Sequence, residues 1–210
     1  MTAASPSTSE NTATGGVPQT HPFDAARFEK AIGELLAACG IAEDNPHMAK
    51  TRARVRALWQ DRLLSGYQDD PATVLGEGFE DGRQDLVLLR GIAVHGICPH
   101  HLVPFRGVAH VAYLPGGRLH GFGRIARMVD ALGHRLTYQE WMTRDIVDTL
   151  LTAGKARGAA CIIEAEQLCL LLGENRRGDE RVVTQAVGGC FADDEGARTA
   201  MLQMLRPRAA

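Results

Sequence analysis

Four consecutive residues in the middle of the chain concentrate side chains that bind metals. They read Cys98-Pro99-His100-His101, so one thiol and two imidazoles stand within four positions. Thiolate and imidazole are among the ligands that zinc prefers. A further thiol, Cys169, lies in a later predicted strand. Cys98, His101 and Cys169 would give three protein ligands and leave a fourth position open, as catalytic zinc sites do.

The same spacing has a second interpretation. A single Cys-x-His-His segment without a second pair of ligands also fits a buried cysteine beside surface histidines, and spacing favours neither interpretation over the other. The remaining cysteines stand in apolar runs and are predicted to be core residues: Cys39, Cys161 and Cys190. An odd total of five cysteines, with no export signal at the N-terminus, predicts reduced thiols in the cytoplasm and no disulfide framework.

Composition limits the classes of partner and the compartment. The 210 residues are 45% apolar and 23% charged, which is ordinary for a globular protein. A formal charge of −2 argues against a nucleic-acid partner, because such binding neutralises many phosphates. No apolar run reaches the length that crosses a bilayer. We therefore expect a cytoplasmic protein that binds neither nucleic acid nor membrane.

The elements that must position the metal-binding residues begin after an N-terminal tail. Residues 1–22 are rich in Ser, Thr, Gly and Pro and nearly lack large apolar side chains, which predicts disorder. A first helix is predicted from Asp24 to a stop at Gly40, and a second from Asn45 to Gly66. The second helix is expected to turn four apolar side chains inward, namely Val55, Leu58, Trp59 and Leu63. From spacing alone its arginines are expected to form a solvated face: Arg52, Arg54 and Arg56.

The rest of the chain predicts an α+β fold. The predicted elements are strands at 85–96 and 103–114, helices at 124–132 and 137–153, strands at 159–172 and 181–191, and a helix at 194–205. Alternation along the third of these strands puts Gln167 and Cys169 on the same face. The order of two strands, two helices, two strands and a helix indicates antiparallel pairing.

A longer run of sequence around the metal-binding segment resembles one enzyme family. The segment at 98–105 (CPHHLVPF) is similar to the C-E-H-H-h-V-P-F segment of GTP cyclohydrolase I. The similarity continues without gaps through YLP at 113–115, GFGRIAR at 121–127, RLTYQE at 135–140 and GGCF at 188–191, and it covers roughly residues 25–206. The resemblance implies the tunnelling fold, with a ββααββ core at 85–210 and a helical arm at 23–84. It also implies a homo-oligomer of two stacked pentamers with active sites between subunits.

The resemblance assigns the metal-binding residues to catalysis. Cys98, His101 and Cys169 become the zinc ligands, and zinc would lower the pKa of a bound water that attacks C8 of guanine. His100 matches the acid–base histidine of the family, and its ordinary pKa lies near neutral pH. The reaction of the family opens the imidazole ring of GTP, releases formate and closes a pterin ring.

Other matched residues would bind the substrate. Glu140 matches the carboxylate that accepts the N1–H and 2-amino group of guanine, with Gln139 helping to hold the pocket. Arg124 and Arg127 match phosphate-binding residues, and Arg54 matches another that reaches the site from a neighbouring subunit. Taken without the resemblance, Glu140 and the threonine three residues before it fit a capping box at a helix start. With the resemblance we favour base recognition.

The sequence departs from the family pattern inside the site. By its position the resemblance makes Gln167 a second candidate catalytic residue beside His100. The family has a histidine there, and an amide cannot relay protons near neutral pH. Gly173 replaces an expected arginine and Ala57 an expected lysine, so two phosphate-binding cations are missing. Arg176 and Arg177 are candidates to compensate.

Three functions follow from these observations. The first is a zinc-dependent GTP cyclohydrolase I that makes dihydroneopterin triphosphate for pterin and folate biosynthesis. The second is a diverged paralogue that only opens or deformylates the ring of a guanine nucleotide or nucleoside with fewer phosphates, as Gln167 and Gly173 suggest. The third is a non-catalytic zinc-binding paralogue, against which the retention of His100 argues.

Overall fold

A four-stranded antiparallel sheet organises the computed structural model, which describes residues 16–42, 44–173 and 180–205. Its strands are β2 (Val87–Ile97), β3 (Pro104–Leu114), β5 (Gly158–Gln167) and β6 (Val182–Gly189), in the spatial order β2-β3-β5-β6. Two short strands, β1 (Phe79–Glu80) and β4 (Arg118–Leu119), pair separately. This mixture of helices and an antiparallel sheet confirms the predicted α+β class.

Helices precede the sheet, connect its two halves and follow it. The N-terminal helices are α1 (Ala25–Ala38), α2 (Thr51–Leu58) and α3 (Pro71–Leu75), with 3₁₀ turns at Pro46–Met48 and Ser65–Gln68 and a π turn at Trp59–Leu63. The later helices are α4 (Phe122–Gly133), α5 (Gln139–Thr152), α6 (Leu168–Leu171), α7 (Cys190–Asp193) and α8 (Glu195–Leu205).

The main core lies between one face of the sheet and helices α4 and α5. In α4, apolar residues recur at helical spacing and are fully buried, as at Ile125, Met128 and Leu132. They pack with strand residues such as Phe105 and Tyr113. A smaller apolar cluster covers part of the opposite face of the sheet beneath α8: Ala112, Ala160, Ile162, Phe191, Met201 and Leu205.

Strand register brings the chemistry-bearing segments to one end of the sheet. At that end Ile97 of β2 pairs with Pro104 of β3, and Phe105 of β3 pairs with Gln167 of β5. The loop at 98–103 and the start of α6 therefore follow directly from neighbouring strand ends.

The third long strand is shorter than the sequence predicts. Strand β5 ends at Gln167, and the four residues after it form the short helix α6. Cys169 therefore lies on a helical turn, and the expectation that it shares a strand face with Gln167 is wrong. The leucines around Cys169 favour a helix as readily as a strand, so alternation could not show where the strand ends.

The predicted second helix is also interrupted. A 3₁₀ turn, helix α2 and a π turn succeed one another between Asn45 and Gly66. Leu58, predicted to point inward, is 51% exposed. Of the arginines expected on a solvated face, Arg54 is exposed, whereas Arg56 pairs with Glu29 of α1 at 3.2 Å. Cys39, predicted to be a core residue, is exposed at the end of α1, whereas Cys161 is fully buried.

Ordered contacts begin before the predicted end of the tail. Residues 1–15 lie outside the described residues. Val17 donates its N–H to the carbonyl of Leu136 at 2.7 Å, and its own carbonyl accepts the hydroxyl hydrogen of Tyr67 at 2.5 Å. The segment from Gly16 onward therefore contacts the folded chain, although the prediction set the boundary at residue 22.

Candidate active site

Backbone hydrogen bonds hold the end of β2 and the loop at 98–103 against the segment that precedes α5. Ile97 donates its N–H to the carbonyl of Arg135 at 3.1 Å, and the carbonyl of Ile97 accepts the N–H of Thr137 at 3.0 Å. Within the loop, Cys98 donates to the carbonyl of Val103 at 3.0 Å. Leu102 closes the turn with a φ of +55°, a left-handed conformation that non-glycine residues seldom adopt. The loop and the helix start thus form one hydrogen-bonded unit.

The three predicted metal ligands converge. One ligand atom from each of Cys98, His101 and Cys169 lies within 4.8 Å of the other two. Cys98 is buried, Cys169 is half-buried and His101 is exposed, so the cluster opens to solvent on the histidine side. Two sulfur ligands and one imidazole are a donor set suited to a zinc-like ion with an open position. The convergence of the three side chains favours a metal site over a buried cysteine beside unrelated surface histidines.

The thiols of Cys98 and Cys169 would ionise more easily with a bound cation beside them. Burial raises the pKa of Cys169, and the neighbouring Cys98 thiol raises it further. Two thiolates at this separation repel one another, whereas a bound divalent cation stabilises both. The residues present therefore fit a metal ion better than they fit a pair of free thiols.

His100 is held on the outer side of the loop by aromatic residues. Its Nε2 lies 3.0 Å from the hydroxyl of Tyr138, and the two rings have centroids 4.9 Å apart. Trp141, one turn into α5, packs edge-on against Tyr138 with a centroid distance of 4.5 Å. Tyr138 was not among the predicted site residues. Its position immediately before Gln139 and Glu140 was the available signal.

Glu140 does not take part in a capping box. Helix α5 begins at Gln139, its N-cap residue is Tyr138, and no side chain caps it. The hydroxyl of Thr137 instead donates to the carbonyl of Tyr138 at 3.2 Å. Glu140 is exposed in the first turn of α5. Its carboxylate is therefore available for a ligand, and the capping interpretation is wrong.

Gln139 and Gln167 are joined by a hydrogen bond. Gln167, the last residue of β5, donates Nε2–H to Oε1 of Gln139 at 2.7 Å. Gln139 is buried, with 2% of its surface exposed, and its Nε2 contacts two backbone carbonyls. Gln167 is half-buried two positions before Cys169. Gln167 therefore stands close in sequence to the proposed ligand Cys169 and is hydrogen-bonded to the residue next to Glu140.

The described contacts do not bring the predicted phosphate-binding arginines to the metal ligands. Arg124 donates to the carbonyl of Val74 at 3.3 Å, and Arg127 donates to the carbonyl of Gly123 at 3.3 Å. Both are exposed on α4. Arg54 is exposed on α2, and its side chain has no hydrogen bond or ion pair among the described residues.

The structure describes both positions at which the resemblance predicts a basic residue that this chain lacks. Gly173 follows α6 and is exposed, and Ala57 is half-buried on α2. The two arginines proposed to compensate, Arg176 and Arg177, lie outside the described residues.

Comparisons with known proteins decide the family. A family model described as GTP cyclohydrolase I matches residues 28–206. The chain belongs to the GTP cyclohydrolase I family. It is 65% identical over 187 residues to the GTP cyclohydrolase 1 of Chromobacterium violaceum, with 89% of this chain and 91% of that protein covered. It is 62% identical over 194 residues to the GTP cyclohydrolase 1 of Ralstonia nicotianae, with 92% and 93% covered. The protein of that name from Mycobacteroides abscessus is 39% identical over 203 residues, with 96% and 98% covered.

Membership of the GTP cyclohydrolase I family agrees with the tunnelling fold predicted from the sequence. Among solved structures, a crystal structure of the archaeosine synthase QueF-Like in the apo form has a TM-score of 0.41 and 17% identity, covering 51% of this chain and 96% of that chain. None of the described helices combines the length and the apolar character that crossing a membrane requires.

Proposed function

We propose that the protein is a zinc-dependent GTP cyclohydrolase I. It hydrolyses the imidazole ring of GTP at C8, releases formate and forms dihydroneopterin triphosphate for pterin and folate biosynthesis. The observation that carries the proposal is the convergence of Cys98, His101 and Cys169 within 4.8 Å. Family membership supplies the reaction, and the residues around the cluster supply the groups that it needs.

The roles of the chain's residues follow from their surroundings. Cys98, His101 and Cys169 hold zinc, which supplies Lewis acidity when bound. His100 exchanges a proton with the reacting purine, because a neutral imidazole both accepts and donates hydrogen bonds. Glu140 accepts the N1–H and 2-amino hydrogens of guanine through its two carboxylate oxygens, a pattern that adenine does not offer.

The triphosphate is bound across a subunit boundary. Arg124 and Arg127 present exposed cations on α4, and Arg54 comes from the helical arm of a neighbouring subunit. We propose a homo-oligomer of two stacked pentamers, the assembly that the resemblance implies. A contact between subunits is supported by Arg54, which has no described partner in its own chain, and by the exposed Leu102 and Leu170. The free cysteines among the described residues fit a cytoplasmic enzyme.

Gln167 favours a second candidate function. Its amide has no pKa near neutrality, so it cannot perform the proton transfers of the histidine that the family has at this position. An enzyme with this substitution could open the ring and release formate without completing the rearrangement to a pterin. The substrate in that case is a guanine nucleotide or nucleoside with fewer phosphates.

Product analysis separates the two candidates. Zinc-loaded protein is incubated with GTP, GMP and guanosine, and formate and pterin fluorescence are measured. We expect both products from GTP. Formate without fluorescence would select the second candidate, and no formate from any substrate would contradict both.

A matched pair of variants tests the metal site in the same assay. Cys169→Ser removes a zinc ligand and is expected to reduce bound zinc and formate release at least a hundredfold. Cys39→Ser makes the same chemical change at an exposed cysteine outside the site and is expected to retain both. Equal zinc content in the two variants would contradict the proposed ligand set.

A further inference from the structure

The hydrogen bonds around Gln139 permit only one orientation of its side-chain amide. Its Nε2 lies 3.0 Å from the carbonyl of Ile163 and 2.9 Å from the carbonyl of Val182. A carbonyl oxygen can only accept, so the NH₂ group must face these two atoms. Oε1 of Gln139 therefore faces Gln167, at 2.7 Å, and must accept. Reversing the amide would leave two carbonyls facing an acceptor.

Two threonine hydroxyls agree with this orientation. Thr143 donates its single hydrogen to the backbone carbonyl of Gln139 at 2.7 Å. Its oxygen, 2.6 Å from the hydroxyl of Thr184, must then accept the hydrogen of Thr184. The oxygen of Thr184 is left to accept from Nε2 of Gln139, at 3.1 Å. The two hydrogens of Nε2 therefore face three acceptors, the carbonyls of Ile163 and Val182 and the oxygen of Thr184, all on the same side of the amide.

The network also fixes Gln167. Its Nε2 donates to Gln139, so Oε1 is the free end of the amide and has no hydrogen-bond partner among the described residues. Gln167 is half-buried, whereas Gln139 is almost fully buried. The side chain that can touch a ligand is therefore Gln167, and Gln139 acts by holding it.

We infer that Gln167 is a catalytic residue that presents a permanent hydrogen-bond acceptor to an N–H of the substrate, with Gln139 as its positioning residue. This inference rests on the proposed attack at C8. When water adds across the N7–C8 double bond, the oxygen binds C8 and the proton goes to N7. N7 of GTP carries a lone pair, which an acceptor repels, whereas N7–H of the hydrated ring is a donor. Oε1 thus favours the hydrated ring over GTP, the differential binding that raises kcat.

Three substitutions at position 167 test the acceptor. Gln167→Met keeps the length and removes both polar atoms, so kcat for formate release should fall about tenfold while KM for GTP stays within about twofold. Gln167→His should retain most of kcat, because a neutral imidazole donates one N–H to Gln139 and keeps a lone pair on the other nitrogen. Gln167→Glu places a carboxylate oxygen against Oε1 of Gln139 and should lower kcat at least as much as Gln167→Met. Bound zinc is measured in each variant and should not change.

A double-mutant cycle tests whether Gln139 acts through Gln167. Gln139→Met should lower kcat as Gln167→Met does, and the double variant should be little worse than either single variant. Unchanged kcat in Gln167→Met, or multiplicative losses in the double variant, would overturn the inference.

A stability measurement keeps the test independent of turnover. Gln167→Glu should lower Tm by about 3 °C or more, and Gln185→Glu, the same change at an exposed position of β6, should not. Equal Tm values for these two variants would overturn the fixed orientation. Absence of formate from the wild-type protein would instead refute the proposed function, while the Tm comparison still decides the orientation.

Discussion

The hydroxyl of Tyr138 fixes one ring nitrogen of His100, and its loss should impair the chemical step. Tyr138→Phe keeps the ring that contacts His100 and Trp141 but removes the hydrogen bond at 3.0 Å. A neutral hydrogen bond contributes about 1 kcal/mol, so we expect kcat to fall roughly threefold to tenfold, with KM for GTP little changed. Steady-state kinetics on protein of verified zinc content measures the effect.

A second tyrosine provides the control. The hydroxyl of Tyr113 is buried in the core, where it accepts the backbone N–H of His120 at 3.0 Å. Tyr113→Phe should therefore lower Tm and leave kcat unchanged. Wild-type kcat in Tyr138→Phe, or a reduced kcat in Tyr113→Phe, would contradict the role given to Tyr138.

At the level of single residues, the sequence predicted the proposed metal ligands better than it predicted the residues that hydrogen-bond to the site. Cys98 and His101 follow from a four-residue pattern, because side chains so close in sequence remain close in space. Cys169 was proposed as a thiol in a later strand and then assigned as a ligand by the resemblance, and the strand alternation offered for it was wrong. Tyr138 was not predicted: its place beside Gln139 and Glu140 was the only signal, because its partner His100 is 38 positions away and tertiary structure brings the two together.

Gly66 and Gly123 lie on neighbouring elements but differ in the space available for a side chain. A Cβ at Gly66 would lie 2.4 Å from the carbonyl oxygen of Ala131 in α4, whereas a Cβ at Gly123 would meet nothing within 4 Å. Gly66→Ala should lower the free energy of unfolding by about 2 kcal/mol, since backbone must move. Gly123→Ala should raise it by about 0.5 kcal/mol, because alanine favours a helix.

Denaturant unfolding of the two variants beside the wild type measures both changes. Similar stability of the two variants would show that the 3₁₀ turn at Ser65–Gln68 does not depend on close approach to α4. The sequence predicted that the second helix ends by Gly66; the π turn ends at Leu63, and Gly66 lies inside the 3₁₀ turn that follows. The close approach of Gly66 to α4 could not be predicted, because α4 lies about 60 positions further along the chain.

Element types were predictable where apolar periodicity is strong, as in α4, α5 and the long strands. The prediction of element boundaries failed where a strand and a helix of the same composition follow one another. The run after Gln167 is apolar without interruption, so sequence could not separate the last residues of β5 from α6. The π turn at Trp59–Leu63 likewise keeps a helical pattern.

A stacked pair of histidines links the N-terminal helices to the core and should make the whole molecule sensitive to acid. The rings of His95 in β2 and His134 after α4 stack with centroids 4.0 Å apart, and Ser65 contacts Nδ1 of His134 at 3.2 Å. Burial, together with the nearby His95 and Arg62, lowers the pKa of His134 to about 4. Burial also lowers the pKa of His95.

The sign of the pH effect follows from these shifts. In the unfolded chain both histidines take up protons near pH 6.5, and in the folded chain His134 does so near pH 4. Their contribution to stability is therefore complete above pH 6.5 and is lost as pH falls toward 4. Asp130 acts in the opposite direction, because burial raises its pKa and its protonation relieves a buried charge. Two histidines with lowered pKa values oppose one carboxyl with a raised pKa, so we expect net stability to fall as pH falls below 6.5.

Thermal unfolding between pH 7 and pH 5 tests the predicted loss of stability in acid. Tm of the wild type should fall over that range, and His134→Asn, which keeps a polar atom near Ser65, should show a flatter profile. His47→Asn changes an exposed histidine and should leave the slope as in the wild type. A slope that His134→Asn does not alter would contradict the assignment.

The proposed metal ligands come from distant parts of the chain, and this has a consequence for folding. Cys98 and His101 share one loop, but Cys169 follows His101 by 68 positions and reaches it only after β3 has paired with β5. Closing a loop of that length has an entropic cost that local contacts cannot offset. During refolding, tight zinc uptake should therefore lag behind sheet formation. The rate of metal capture would then report the latest long-range step of folding.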